Sequence, residues 1–477
     1  MTISRFSYLT SQSNRGDFMK ETKRERYYLW LYLVAIAVVF TIYHFFYDMT
    51  IGDVPAYFSR ILTKESGYLT EKDTLFTALF RFTRDRSMHW SSRYRIEAVL
   101  VLIASLPVWV WHILDILVLL PGAYSMAELT GIRNPGMKYM GILTLVMMYP
   151  VKDMCSAGWI ATTMNYSWCL SLGLYALLII RRIHKEEKVK PVSLLAAIPA
   201  FMYAVNHEQM CLIFVILLAG IVGKEIYDWK KHEKKIHKAI PIFLGGSLLQ
   251  LVYILVCPGN AERKLAETAG FFPEFAEYSL VDKAYLGFAR MMNAFFEDYN
   301  FMLLLLFAFM AWCMLQSDEK TWKKLISCIP ALYLVLRIGV HKVFHTTFYG
   351  IFLACNETRL SELTVFDYVS FLIMLGMAVL FFWTCCMLFA SENNVILYLL
   401  VLLAAIASAF VSGFSPTVFV SGYRVYLFLY AGFVYVLLKW VKIHEEKISG
   451  YWKLPVWGAV IALNLILILG NLSVLRG

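Results

Sequence analysis

The stretch Tyr27–Tyr47, YYLWLYLVAIAVVFTIYHFFY, decides the fold. It contains no Asp, Glu, Lys or Arg, and a helix that crosses a bilayer needs about 20 mostly apolar residues. Residues 1–26 before it are polar and basic, and no small-residue cleavage signal follows, so it reads as an uncleaved membrane anchor. Working outward, similar runs recur to the end of the chain. They are about Ile96–Leu120 (with Pro107 as an expected kink), Met140–Pro150, Tyr166–Ile180, Pro191–Val205, Met210–Val222 and Ala239–Val256, then Phe301–Leu315, Ile326–Val340, Tyr368–Ala390, Val395–Val411, Tyr423–Val441 and Trp457–Leu472. With the first run this makes about thirteen spans, and several are short enough that eleven to fourteen is the working range.

Composition agrees. Of 477 residues, 60% are hydrophobic and 16% charged, with a mean hydropathy of +0.61, where a soluble chain carries about 25% charged residues. The chain is read as an all-α polytopic transmembrane bundle. A cytoplasmic tail, 1–26, precedes a single membrane domain, 27–477, with larger extracytoplasmic loops at about 48–92, 258–299 and 341–366.

The net charge of +10 does not point to nucleic acid, because the basic residues gather in short loops such as Arg181–Lys190 and Lys224–Lys238. With the N-terminus in the cytoplasm, inner segments hold roughly 26 Lys/Arg in about 100 residues and outer segments roughly 18 in about 150, the direction the positive-inside rule requires. Nine cysteines lie mostly within apolar runs and form no CxxC pair, so neither a disulfide framework nor a zinc site is read. There is no phosphate-binding glycine loop, dinucleotide fingerprint or nucleophile elbow. His341 and His345 share a helix face without the acid that a metalloprotease motif needs.

On this topology most strongly polar clusters lie at span ends on the face opposite the N-terminus. Asp48 and Asp53 follow the first run, and an outward carboxylate there suits a general base on a hydroxyl acceptor. Asp53 also precedes Val54-Pro55, the pattern of an N-cap with Pro in the first turn. Arg93 sits in Trp90-Ser91-Ser92-Arg93-Tyr94, and Arg263 and Arg424 lie on the same face. Guanidinium groups bind phosphate in a bidentate manner, or snorkel to headgroups. Lys152-Asp153 stands beside Asn165-Tyr166-Ser167-Trp168, where aromatic faces with amide donors suit either a sugar ring or a headgroup belt. Asn206-His207-Glu208 occupies a hairpin between two apolar runs, where ionisable groups are functional candidates. Leu75–Phe82 and Leu280–Phe296 have the spacing of helices that lie in the interface.

At these residues the chain resembles bacterial polytopic membrane proteins related to the glucosyltransferases of O-antigen and cell-wall polymers, within the GT-C class. The matching pieces are Gly52-Asp53, Trp90-Ser91-Ser92-Arg93-Tyr94, Asn165-Tyr166-Ser167-Trp168, Asn206-His207-Glu208-Gln209 and Cys257-Pro258-Gly259-Asn260 with Arg263. They cover most of the first 265 residues; the C-terminal part matches mainly through Arg424 and hydropathy.

The resemblance implies a transferase in the bacterial inner membrane that faces outward. It would take a sugar from a polyprenyl-phosphate donor and pass it to a glycan or cell-envelope polymer, with membrane lipid as its other partner. Asp53 would be the base, with Asp48 and Glu208 in reserve, and Arg93, Arg263 or Arg424 would stabilise the phosphate leaving group. Lys152, Asp153, Asn165, Trp168, Asn206 and His207 would bind substrate. The family often pairs two aspartates in the first outer loop, whereas Val54 follows Asp53 here. No cofactor is required by the reading, and a divalent metal stays open. A lipid-linked glycan flippase and a polysaccharide polymerase are the other readings; Asp115 and Arg337, inside or beside runs, are what a transporter would use.

Overall fold

The computed structural model describes residues 3–476 except 59–61, 63–67, 69, 71–73, 233–235, 344–353, 391, 393–394 and 452–453, with side chains from residue 23 onward except 340–343, 454 and 476. The His341/His345 pair lies outside the side chains described. Among the described residues the chain is helical and contains no strand.

Helix α1, Ile3–Phe46, carries the first apolar run in its second half. Three shorter helices follow: α2, Val54–Phe58; α3, Leu75–His89; and α4, Tyr94–Ala104. Thr74 starts α3 by accepting a hydrogen bond from the Thr77 N–H. Pro107 does not kink one long helix as expected. The chain breaks at 105–107, and Pro107 stands as the cap of a new helix, α5, Val108–Thr130. A proline lacks an N–H and presets φ, so it fits at a helix start, where neither loss matters. A second proline, Pro121, stays inside α5. There Ser171 of the neighbouring helix accepts from the Gly122 N–H at 2.8 Å and donates to the Val118 carbonyl, replacing bonds in the interrupted ladder.

Helix α6, Pro135–Met147, begins on an Asn134 cap, and α7, Val151–Cys155, is a single turn. Lys138 is buried in α6 and pairs with Glu25 of α1 at 2.7 Å. Helix α8, Trp159–His184, contains a π-helical turn at Thr163–Ser167. Then come α9, Pro191–Ala204; α10, Glu208–His232; α11, Ala239–Val256; and α12, Pro258–Phe271. Helix α13, Leu280–Asn293, opens on a Ser279/Asp282 capping box, continues through a second π turn to Asp298 and meets α14, Asn300–Leu315, at 87°. The remaining helices are α15, Thr321–Val343; α16, Val365–Phe389; α17, Val395–Phe410; α18, Leu427–Ile443; α19, Glu445–Ser449; and α20, Leu454–Arg476.

Nine helices among the described residues are long and apolar enough to cross a membrane, or ten if the bent pair α13–α14 counts as one span. The sequence reading counts about thirteen. The excess comes from α6 and α9, of 13 and 14 residues, and from the more charged α15. At 1.5 Å per residue the first two reach only about 20 Å, short of a hydrocarbon core of about 30 Å.

Side-chain bonds between helix ends define two faces. The proximal face is the end of α1 that carries Glu25, where Arg182 meets Glu128, Arg133 meets Glu445 and Lys442 meets Glu392. The distal face is the end at Phe46, where the loop after α1 meets the loop before α8. That junction is close at the backbone: a Cβ on Gly52 would lie 2.5 Å from the Ala157 carbonyl carbon, and one on Gly158 would lie 2.6 Å from the Val54 side chain. Both glycines hold positive φ, 62° and 90°. Gly259 is equally tight, with a Cβ position 2.6 Å from the Trp90 nitrogen, whereas Gly245 on α11 faces open space. Gly259→Ala is therefore expected to lower the thermal midpoint in detergent by several degrees, a loss of about 1–3 kcal/mol. Gly245→Ala leaves it unchanged or slightly raised.

Candidate functional site

The site grows from Ser92, in the turn between α3 and α4. Its backbone N–H donates to Asn260 Oδ1 at 3.0 Å, and its carbonyl accepts from Asn206 Nδ2 at 3.0 Å. Asn260 Nδ2 also donates to Ser92 Oγ and to the Ile254 carbonyl. Asn206 Oδ1 accepts from the Arg95 and Ile96 N–H groups at 2.9 and 3.2 Å. It thereby satisfies the orphan donors at the start of α4 from a different helix hairpin. Asn206, expected to touch substrate, is fully buried in this framework role.

This clamp aims Arg93. Its Nε and Nη2 bond Glu208 Oε2 at 2.8 and 2.7 Å, and its Nη1 donates to Asn165 Oδ1 at 3.1 Å. Asn165 sits in the π turn of α8, a widened turn that often marks functional sites. The two charged side chains are 17% and 29% exposed, so the pair lines a surface and is not sealed in the core. Burial alone would push the guanidinium down; the Glu208 carboxylate outweighs it and holds it up, and Arg93 stays charged.

Beside it, Trp90 is flanked by two more guanidiniums, with Arg86 at 5.3 Å and Arg263 at 5.6 Å from its ring centroid. Arg86 pairs with Glu97 at 3.1 Å and Arg263 with Glu267 at 2.7 Å. Arg86 Nε and Glu97 Oε2 are buried with no hydrogen-bond partner among the described residues, and such atoms ask for a ligand or water. The Tyr57 phenol on α2 feels the charges of Glu97, Arg86, Asp53 and Arg263 together. Asp53 lies one turn before Tyr57, whose N–H donates to the Asp53 carbonyl at 3.1 Å. It is exposed, its N–H is held by the Ala157 carbonyl at 3.1 Å, and its carboxylate has no partner among the described residues. It sits directly before α2, but its carboxylate accepts no first-turn N–H among the described residues, so the side-chain cap that the sequence pattern suggests is not made.

The other sequence candidates take different places. Asp48 is exposed and accepts from both the Thr50 hydroxyl and its N–H, which hold its carboxyl below the usual range. Asp153 is buried and accepts from the Tyr299 hydroxyl at 2.7 Å; burial pushes its carboxyl up, partly offset by that bond. Its neighbour Lys152 is exposed. Arg424 donates to Ser156 Oγ at 2.9 Å and tethers the turn before α18 to the end of α7. Trp168 is a correction: it is 4% exposed, and its indole N–H donates to Asp115 Oδ1 at 2.6 Å, so its ring neither offers a sugar platform nor belongs to a headgroup belt.

Asp115 itself is fully buried on α5 and receives His44 Nε2 at 3.0 Å and Trp159 Nε1 at 3.4 Å as well. Arg337, the other residue flagged as a transporter element, pairs with Glu297 at 2.7 Å near the second π turn. The Arg86–Trp90–Arg263 stack was not singled out as a unit in the sequence, because Arg86 reads as one more charge behind an apolar run.

His207 is 1% exposed, its ring packs on Tyr166 and Phe428 at 4.8 and 5.3 Å, and neither ring nitrogen has a partner among the described residues. Burial first, and then the Arg93 charge, push its imidazole down to about 3, so it is neutral at physiological pH.

A scan against protein-family models, a search of curated proteins and a search of solved structures each return no match for this chain.

Two outcomes follow for the clamp and its neighbour. Asn206→Ala strands two buried N–H groups and a carbonyl, which costs about 1–3 kcal/mol for each group that water does not reach and lowers the thermal midpoint more than Asn165→Ala does. For His207, the unfolded chain binds a proton near 6.5 and the folded chain only near 3. Its contribution to stability is complete above 6.5 and is lost as the pH falls toward 3. His207→Phe, which keeps the ring packing, is expected to lose less stability than the parent in thermal melts taken as the pH drops below 6.5.

Proposed function

We propose that the chain is a membrane glycosyltransferase of GT-C type, working on its distal face, with that face extracytoplasmic. It moves a sugar from a polyprenyl-phosphate donor to a hydroxyl of a glycan or cell-envelope polymer. The observation that carries the reading is that Arg86 and Arg263 flank Trp90 at the distal ends of the helices, with the Arg93–Glu208 pair on the same face and Asp53, whose carboxylate has no partner among the described residues, at the start of α2.

Each group has chemistry suited to the step. The acceptor hydroxyl needs a base. Asp48 Oδ1 accepts two bonds from Thr50 and Glu208 Oε2 two from Arg93, whereas neither carboxylate oxygen of Asp53 has a partner among the described residues, which makes Asp53 the first choice to take a proton. The lipid phosphate leaves with growing negative charge. Arg263 bonds Glu267 through Nε, and neither its terminal nitrogens nor the buried Arg86 Nε has a hydrogen-bond partner among the described residues, which leaves them for a phosphate. Arg93 is best read as a fixed positive wall, since Glu208 and Asn165 already hold it. The apolar surfaces of α3 and α12, which expose Phe76, Phe80 and Leu265, suit the isoprenoid tail.

A flippase is the second reading, favoured by the buried Asp115–His44 pair inside the helix bundle. It predicts a dependence on Asp115 and none on Asp53.

Asp53→Asn removes the base while keeping the size of the side chain and its helix-capping propensity. The expected result is a loss of transfer of about 10²–10⁴-fold at unchanged thermal midpoint, measured on purified protein with polyprenyl-phosphate sugars or as a lost glycan in cells. Arg263→Ala raises the KM for the lipid donor. If deletion of the chain alters a glycan and both Asp53→Asn and Arg93→Ala restore it in full, the site assignment is wrong.

A further inference from the structure

At the opposite, proximal face, three side chains from separate segments meet in a way the distal chemistry does not use. His184 ends α8, Glu225 lies in the last turns of α10, and His237 enters α11. His184 Nδ1 and His237 Nδ1 both lie 2.8 Å from the same oxygen, Glu225 Oε1. One ligand atom from each residue fits within 4.8 Å of the others. We infer that His184, Glu225 and His237 form a binding site for a first-row divalent metal ion, of the zinc class, that ties the proximal ends of α8, α10 and α11.

The remaining polar atoms are arranged as a metal site needs. Glu225 Oε2 accepts the His237 backbone N–H at 3.2 Å, which fixes the carboxylate and leaves Oε1 pointing at the two imidazoles. His237 Nε2 faces Glu186 Oε1 at 3.3 Å. A ligating histidine commonly donates its other ring N–H to a carboxylate in this way, which selects the tautomer whose free nitrogen meets the metal. Glu186 is held there by a left-handed backbone, φ 55°, the one non-glycine positive φ among the described residues. A non-glycine residue pays for that conformation, so the turn has a reason to be kept.

Burial also fits. Glu225 is 4% exposed and the two histidines 19% and 17%, so the donors are shielded while a water can still reach a fourth position. Two imidazoles and one carboxylate suit zinc and its neighbours better than calcium or magnesium, which prefer all-oxygen ligands. The carboxylates of Glu225 and Glu186 supply the negative charge that a dication needs on a face rich in lysine and arginine. Without a metal, the two Nδ1–H groups would simply share Oε1, and the experiment separates these cases.

The full-length protein, purified in detergent with any histidine tag removed and stripped with a chelator, is titrated with Co²⁺ and followed by its visible ligand-field absorption. One equivalent is expected to bind with the intensity of a four-coordinate ion, and Zn²⁺ to displace it and raise the thermal midpoint. His184→Gln and His237→Gln each abolish the band, while Glu186→Ala weakens binding by about 10–100-fold. Absence of stoichiometric Co²⁺ binding to the unaltered protein overturns the proposal without reliance on any variant. So does binding that survives both histidine substitutions.

Discussion

The grip of Asn206 and Asn260 on Ser92 is the interaction the distal face depends on. One residue in a turn is bonded through its N–H, its carbonyl and its hydroxyl by two amides, one from the α9–α10 hairpin and one from the start of α12. In a lipid environment, backbone groups that leave a helix need partners inside the protein. Here the partners also fix the start of α4, aim Arg93 toward Glu208 and Asn165, and bring Trp90 against α12. Three sequence motifs far apart in the chain thus become one structural unit. The charged groups around it are positioned by that unit and not by their own flexible side chains.

The two π turns sit where this organisation needs a helix to turn a side chain aside. One rotates Asn165 of α8 toward Arg93. The other ends α13 before its 87° bend into α14, close to the Tyr299–Asp153 bond. Around them a band of tyrosines, Tyr149, Tyr299, Tyr423 and Tyr430, packs ring on ring beneath the distal loops. These contacts join the N-terminal helices, which carry the clamp, to the C-terminal ones, which contribute Arg424.

Much of this was legible in the sequence. Apolar runs identify the membrane helices because burial in lipid demands about 20 consecutive apolar residues, and the short hairpin at 206–208 announces polar groups that must be paired. The sequence could not say how they pair. Asn206 reads as a ligand-binding amide, yet both ends of its side chain hold backbone. Trp168 reads as an aromatic at an interface, yet it turns inward because Asp115, buried on α5, needs its indole N–H. Arg86 and Trp90 are four residues apart at the end of α3, where Trp90 is the capping residue, but the third member, Arg263, comes from more than 170 residues further on. The helix count fell for a simpler reason: hydropathy marks α6 and α9 as apolar, while their length leaves them short of a full crossing.

The proximal cluster was invisible for the same reason, since His184, Glu225 and His237 have no motif spacing and meet only after α8, α10 and α11 pack together. The account of the distal face is tested most directly by a structure of the protein with a polyprenyl phosphate bound. The phosphate is expected beside Arg263 and Arg86, against Trp90 and within reach of Asp53, with the isoprenoid tail leaving sideways along α3 or α12. A phosphate seated deep between the helices near Asp115, on a path that runs toward the proximal face, would contradict it.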